Sequence, residues 1–303
     1  MAARSVEAVA LRWSGWRREE IGAILFALPS WLLILTVFLL PSLVTLYLSV
    51  RNEQIGSFFP PEFVGLENFY TELSNPVFWE AFGTTFLIMG MGLAVQMPIG
   101  LGLAMLLHRR LLGTRLFRST LLIPMLLTPV AIGLMWRFMF DTDLGVINWL
   151  LQAIGVERVN WLGSRWGALW AVTIVDSWQS IPFVMLMLLA GLSGLSREPQ
   201  EAAWIDGANW WQSLIHVTLP MLRPVLLVVL TIRIIDIFKI FDVIFILTQR
   251  GGPGTATQTL GLLTYNTGFI FLATSRAAAL GVVLVIMCLP IYVLWRKAAE
   301  GSR

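Results

Sequence analysis

The sequence predicts an all-α polytopic membrane protein with six transmembrane helices and both termini in the cytoplasm. Three observations lead there. Of 303 residues, 57% are hydrophobic and 13% charged, with a mean hydropathy of +0.77, too little charge to cover a water-soluble domain. Apolar runs near the ~20 residues that cross a bilayer recur along the chain. Arg and Lys are dense in every second inter-span segment and sparse between, the asymmetry that orients membrane proteins.

Residues 1–20 carry Arg4, Arg12, Arg17 and Arg18 with Glu7, Glu19 and Glu20, and read as a cytoplasmic N-terminal segment. Trp13 and Trp16 among the arginines suit a stretch lying along the inner membrane surface. The apolar run that follows is too long for the apolar region of a cleavable signal. A six-span domain is expected over 21–295, with spans near 21–49, 81–107, 117–139, 167–190, 222–247 and 274–295, and a cytoplasmic tail over 296–303. Tyr47, Trp79, Trp136, Trp166 and Trp295 fall near span ends, as interfacial anchors do.

The basic residues of one side are Arg4 to Arg18, then Arg109, Arg110, Arg115 and Arg118, then Arg197 and Arg223, then Arg296, Lys297 and Arg303; the other side has Arg51, Arg158, Arg165, Arg250 and Arg276. The 108–116 loop and the 191–221 connector are therefore expected in the cytoplasm, and 50–80, 140–166 and 248–273 outside. The net charge of +3 is too small and too dispersed to indicate nucleic acid. Cys288 is the single cysteine, which rules out an intrachain disulfide or a cysteine metal site.

No enzyme motif is present. The sequence has no G-x-x-x-x-G-K-[ST] phosphate loop, no H-E-x-x-H and no G-x-S-x-G. Gly90, Gly92, Gly100 and Gly102 in the second span read as small residues that let helices approach closely. The fifth span carries Arg233, Asp236, Lys239 and Asp242, three residues apart and alternating in sign. A charge buried in a bilayer costs about 2.5–3.5 kcal/mol on insertion scales, so this stripe must face protein or water. It reads either as a hydrophilic solute path or as an ion-pair ladder holding the helix to a neighbour. Asp176-Ser177-Trp178-Gln179-Ser180 in the fourth span is a second polar patch, suited to sugar stacking and hydrogen bonding or to interhelical hydrogen bonds.

The connector between the fourth and fifth spans is the most distinctive segment. It reads Glu201-Ala-Ala-Trp-Ile-Asp206-Gly207, then Trp210 to Thr218, then Leu219-Pro220. The expectation is a short helix, a glycine break, a second helix and a proline stop. This pattern resembles the EAA loop of permease subunits in binding-protein-dependent ABC importers, on Glu201, Ala202, Ala203, Gly207, Val217, Leu219 and Pro220. The fuller Glu-Ala-Ala-x-x-Asp-Gly-Ala form is similar to the carbohydrate-uptake branch, the maltose and glycerol-phosphate type. Phe63-Val-Gly65-Leu-Glu-Asn68-Phe69, Gly145-Val-Ile-Asn148, Trp178 with Pro182-Phe183, Ala190-Gly191-Leu192, Phe238-Lys239-x-Phe241-Asp242, Leu247-Thr248, Gly251-Gly252-Pro253 and Thr257 extend the resemblance along most of the chain. It departs in having Leu195-Ser196 where Ile-Pro is usual, and Pro199 two residues ahead of Glu201.

The resemblance implies a type I ABC importer permease fold in a bacterial plasma (inner) membrane. It implies a homologous second permease, two cytoplasmic ATPase subunits that bind ATP and Mg, an extracytoplasmic solute-binding protein and a carbohydrate solute. No cofactor is expected on this chain. Glu201, Ala202, Ala203, Asp206, Gly207, Leu219 and Pro220 would couple to the ATPase. Gly251, Gly252 and Pro253 would meet the binding protein, and Asp176, Trp178, Arg233, Asp236, Lys239 and Asp242 are candidates for the solute path. The competing reading is an ion-coupled secondary transporter that uses the charged stripe as a relay.

Overall fold

The structure, a computed structural model, describes residues 22–56, 60–109 and 113–300; the expected inner-surface segment 1–20 lies outside them. Helix α1 (Gly22–Ser49) contains a π segment, Leu35–Leu39, just before Pro41. The proline ring displaces the carbonyl four residues back, and the Leu40 N–H reaches Leu35 O instead. A two-residue antiparallel ribbon, β1 (Arg51–Asn52) with β2 (Glu62–Phe63), leads to α2 (Glu67–Leu73). The long α3 (Pro76–His108) starts on Asn75, whose side chain accepts from the Val77 N–H.

The expected third span is broken. Helix α4 (Thr114–Leu126) ends, Leu127 and Thr128 run extended, and α5 (Pro129–Met139) leaves at 97°. Pro129 forces the extended conformation on Thr128 before it. Helix α6 (Val146–Ala153) crosses the next connection, and α7 (Arg165–Ser193) follows with Ser164 as its N-cap. The connector holds α8 (Glu198–Ile205) and α9 (Trp210–Ser213).

Two further expectations are corrected. Pro220 stops nothing: α9, a π segment (Leu214–Thr218) and α10 (Leu219–Phe238) form one continuous helix over 210–238. The bulge sits ahead of Pro220 as the first one does ahead of Pro41, with Leu219 N–H bonded to Leu214 O. The fifth span, expected unbroken over 222–247, ends at Phe238 and restarts as α11 (Asp242–Leu247). No glycine or proline marks that break; Thr259 Oγ1 stabilises it by donating to the freed carbonyl of Ile240 at 3.2 Å. Helix α12 (Leu260–Tyr265), a third π segment (Asn266–Ile270) and α13 (Thr274–Glu300) complete the described chain.

Among the described residues, α1, α3 and α7 are long and apolar enough to cross a membrane, and the bent α4–α5 pair makes a fourth if counted as one span. Apolar side chains from Ile24 to Leu46 stand exposed along α1, a patch that water would not tolerate and a bilayer does. The Leu40–Ser49 end packs against α13.

Helix α3 lies along α7, and both meet α10. Two apolar clusters fill the bundle. One takes Ile88 of α3, Leu169 and Val172 of α7 and Ile237 of α10. The other takes Ala104 and Leu107, Val184 to Leu192, and Leu222 and Val229 of the same three helices. Close approach depends on glycine at chosen places. A Cβ on Gly100 would fall 2.5 Å from Val184 Cγ1, and one on Gly92 3.1 Å from Ile237 Cδ1. Gly90 and Gly102 face open space, so the close-packing role expected of all four holds for two.

Candidate functional site: a coupling helix and an intramembrane polar pocket

The connector's motif has a local physical explanation. Pro199 sits in the first turn of α8, where its missing N–H is harmless. At the other end, Gly207 takes φ +83°; its N–H bonds to Trp204 O at 3.1 Å, and the Ala208 N–H to Ala203 O at 2.9 Å. This is a Schellman stop, for which glycine is the favoured residue at that point. Two residues on, Asn209 and Gln212 exchange side-chain and backbone hydrogen bonds in a capping box that starts the next helix. Gln200 Nε2 donates to Thr218 Oγ1 at 3.2 Å, tying α8 to the π segment.

The result is a short helix standing off the bundle. Glu201, Ala202, Asp206, Gly207 and Pro220 are exposed, and Ala203 and Leu219 half-buried. Glu201 shares a groove of about 480 Å³ with Arg197, Gln200, Trp204, His108 and Arg109. A second cleft, of about 570 Å³, lies between α8 and the end of α3. Gly191 lets α7 and α10 meet beside it: a Cβ there would lie 2.9 Å from both Leu222 and Val225.

The charged stripe is a ladder of ion pairs with a locked end and an open end, joined where Arg233 Nη1 lies 3.5 Å from Asp236 Oδ2. Arg233 is spent internally: Nη2 lies 2.9 Å from Asp176 Oδ2 and 3.2 Å from Oδ1, and Nε donates to Gln96 Oε1 at 2.9 Å. Gln96 Nε2 in turn donates to Asp176 Oδ2 at 2.6 Å, and Ser180 Oγ to Oδ1 at 3.4 Å. The pair is deeply buried, with side-chain exposures of 6% for Arg233 and 12% for Asp176. The knot joins α3, α7 and α10 at the boundary between the two apolar clusters. Gln96 was not singled out from the sequence, although a lone amide in an otherwise apolar run was the available signal.

Asp236 and Lys239 form the open half. Lys239 Nζ lies 3.1 Å from Asp236 Oδ1, with side chains 68% and 36% exposed. Together with Asp242, Gln179, Ser180, Phe183 and Phe241, and with Asp176 and Arg233 also on its wall, they line a pocket of about 310 Å³ where the broken α4–α5 span faces the broken α10–α11 span. Gln179 Nε2 reaches the freed Leu127 carbonyl at 3.4 Å. Trp178 is not in this pocket; its ring packs against Trp136 at 5.6 Å. The pocket offers acceptors, donors and two aromatic faces, a set suited to a polyhydroxylated solute.

At the end of the bundle opposite the connector, buried asparagines shape the loops. Asn148 donates to the carbonyls of Thr142 and Val159 and accepts from the Val159 N–H and Trp161 Nε1. Asn68 donates to Ser49 and Arg51 carbonyls. Arg276 pairs with buried Glu72, joining α2 to α13. In the 248–258 loop, Thr257 N–H bonds to Gly251 O and Thr257 Oγ1 to Thr248 Oγ1. Gly251 is buried at φ +100°, with no room for a Cβ beside Leu262. It is a packing residue and not a contact surface; Gly252 and Pro253 are half-buried, and the exposed tip is Gly254 and Thr255.

The family described as binding-protein-dependent transport system inner membrane component matches residues 96–297. A probable ABC transporter permease protein of Sinorhizobium fredii is 38% identical over 94% of this chain and 93% of its own length. A trehalose/maltose transport system permease protein of Thermococcus litoralis is 36% identical over 83% and 84%. An arabinooligosaccharides transport system permease protein of Bacillus subtilis is 33% identical over 97% and 95%. Among solved structures, a chain of a bacterial ABC transporter involved in import of the polysaccharide alginate superposes with a TM-score of 0.79 at 20% identity, covering 94% of this chain and 98% of that one. The chain belongs to the binding-protein-dependent transport system inner membrane components, the non-catalytic permease subunits of ABC importers.

Proposed function

We propose that this permease forms half of the translocation pathway of an ATP-driven carbohydrate importer. The observation that carries the proposal is the unbroken helix over 210–238. It begins in the connector, where α8 would dock on a cytoplasmic ATPase, and ends at the pocket that would meet the solute. Movement imposed on one end is therefore felt at the other. The carbohydrate class is supported by the pocket's donors, acceptors and rings, and by the trehalose/maltose and arabinooligosaccharide names of relatives. The alternative of an ion-coupled carrier is not favoured: the relatives are ABC permeases, and the stripe it needs is interrupted and half consumed by the Arg233–Asp176 knot.

In this reading six spans lie in a bacterial plasma membrane with both termini in the cytoplasm, two of the spans being broken helices. A homologous permease completes the pathway. Two ATPase subunits bind ATP and Mg, and an extracytoplasmic binding protein delivers solute to the outer loops, with Pro253 to Thr255 as the accessible tip. Glu201, Ala202, Ala203, Asp206 and Gly207 form the ATPase contact, and Leu219-Pro220 sets the bulge through which it reaches α10. The ATPase must bind the two transport states with different affinity for the loop to switch them. Asp236, Lys239 and Asp242 meet the solute, while Asp176 and Arg233 hold the spans in register.

The test is ATP hydrolysis by the assembly purified through a tag on this chain and co-expressed with its neighbouring genes. Copurifying ATPase that responds to sugar-loaded binding protein, and loses the response in Glu201→Ala, supports the reading. Purification of this chain alone, with solute uptake that needs no ATP, would overturn it.

A further inference from the structure

The two grooves beside the connector join into one amphipathic site. His108, Arg109, Gln200 and Trp204 stand on the walls of both. The smaller groove is basic: it adds Arg197 to Arg109 and His108, against the single carboxylate of Glu201. Both arginines are exposed, and among the described residues neither forms an ion pair. The larger cleft is apolar on its α3 side, where Gly102, Met105 and Leu106 line it, and on its connector side, where Trp210 and Leu214 do.

The order of these residues gives the site a direction. Helix α3, long and apolar enough to cross the membrane, ends at His108, and Gly102 lies about 9 Å back along it at 1.5 Å per residue. The apolar wall is therefore deep in the span and the arginines are at its edge. Between them stand the Trp204 and Trp210 rings, 58% and 44% exposed, a residue type that favours the membrane interface. Gly102 and Leu106 are exposed on the span, and a Cβ on Gly102 would meet nothing within 4 Å, so the deep end is open. On α8, Arg197, Gln200, Glu201 and Trp204 recur at the three- and four-residue spacing of one helix face, the face turned to the cleft. Ala202 and Asp206, both exposed, lie on the opposite face, which leaves that face for an ATPase. A soluble anion or an acidic side chain would use the arginines and leave the apolar cleft empty, whereas a phospholipid fills both.

We infer that this site binds an anionic phospholipid, its phosphate held by Arg109 and Arg197 and an acyl chain lying in the cleft beside Gly102 and Leu106. Basic pockets at the cytoplasmic ends of membrane helices take such head groups. The lipid bridges the end of α3 and α8, so it steadies the connector against the bundle. Its binding is independent of the importer reading; its effect on coupling to an ATPase rests on that reading.

The experiment strips lipid from the assembly purified through a tag on this chain, then adds phosphatidylglycerol or phosphatidylcholine of equal chain length and reads binding by native mass spectrometry. Wild type should bind phosphatidylglycerol more tightly than phosphatidylcholine. Arg109→Gln and Arg197→Gln should each weaken phosphatidylglycerol binding about fivefold, the size of one arginine contact to an anionic lipid, and leave phosphatidylcholine binding unchanged. In nanodiscs, phosphatidylglycerol should raise ATPase stimulation by loaded binding protein in wild type and not in the double variant. Equal binding of the two lipids by wild type, or an unchanged preference in both single variants, would overturn the site. Displacement of the lipid by inorganic phosphate in millimolar excess would reduce it to a soluble-anion site and overturn the lipid assignment. Loss of the ATPase subunits from both variants in either lipid would assign the arginines to the ATPase contact and overturn it too. Absence of stimulation in any lipid counts against the importer reading alone, because lipid binding is read separately.

Discussion

Arg233 of α10 clasps Asp176 of α7 through both carboxylate oxygens, at 2.9 and 3.2 Å, while its Nε holds Gln96 of α3. Three spans are thereby joined at one depth, between two apolar clusters. Removing one partner leaves the other charge buried and uncompensated, which costs about 3–5 kcal/mol, whereas removing both is far milder. Arg233→Leu and Asp176→Leu should each lower the thermal stability of the detergent-purified assembly strongly. The double variant should recover much of the loss. Equal, additive losses would mean that the two residues do not act as a pair.

Asp236 and Lys239 lie three residues apart on the open side, with exposed side chains. Such a pair contributes about 0–1 kcal/mol to stability. Lys239→Gln should therefore leave the melting temperature nearly unchanged while raising KM for solute. Unchanged uptake would remove this half of the stripe from the solute path.

Gly207 holds φ +83° with open space around its α-carbon, so a substitution there is opposed by the backbone alone. The left-handed conformation costs an L-residue about 1–2 kcal/mol, and asparagine tolerates it better than valine does. Gly207→Val should reduce ATPase stimulation by loaded binding protein, with Gly207→Asn between it and wild type. Ala202, exposed on α8, should be sensitive to bulk: Ala202→Trp should weaken ATPase copurification about tenfold or more, equivalent to 1.4 kcal/mol or more.

The second-span glycines separate by geometry. Gly100→Leu drives atoms into Val184 and should destabilise by about 1–3 kcal/mol, with partial rescue by Val184→Ala. Gly102→Leu, facing open space, should be close to neutral. Thermal shift of the two variants side by side decides the matter.

Asn148→Ala removes the side chain that pairs two carbonyls, one N–H and the Trp161 indole in the 141–161 loop, and should speed hydrogen exchange there. Nearby, Asp141 Oδ1 accepts from the Leu144 and Asp143 N–H groups, which hold its carboxyl below the usual value for aspartate. That contribution is present above the unfolded-state value and lost as pH falls through the lower folded one. The 141–144 turn should therefore loosen only in acid, below the range where an ordinary aspartate titrates. Asp141→Asn should blunt the pH dependence.

The sequence by itself determined the membrane class, the first, second and fourth helices to within a few residues, and the connector's glycine break. Each of these is governed by local physics: hydropathy over a span, and a glycine with positive φ at Gly207. The asparagines of the outer loops and Leu219-Pro220 were visible as motif residues, though what they bond was not. Tertiary structure alone decided which charges are locked and which are open, because Arg233 finds Asp176 and Gln96 on helices far away in the chain. It also decided the break after Phe238, where no glycine or proline gives warning and the freed Ile240 carbonyl is held by Thr259. It drew Trp178 and Gly251 into packing. Burial and pairing across helices are properties of the assembled bundle, and a single span's periodicity carries no record of them.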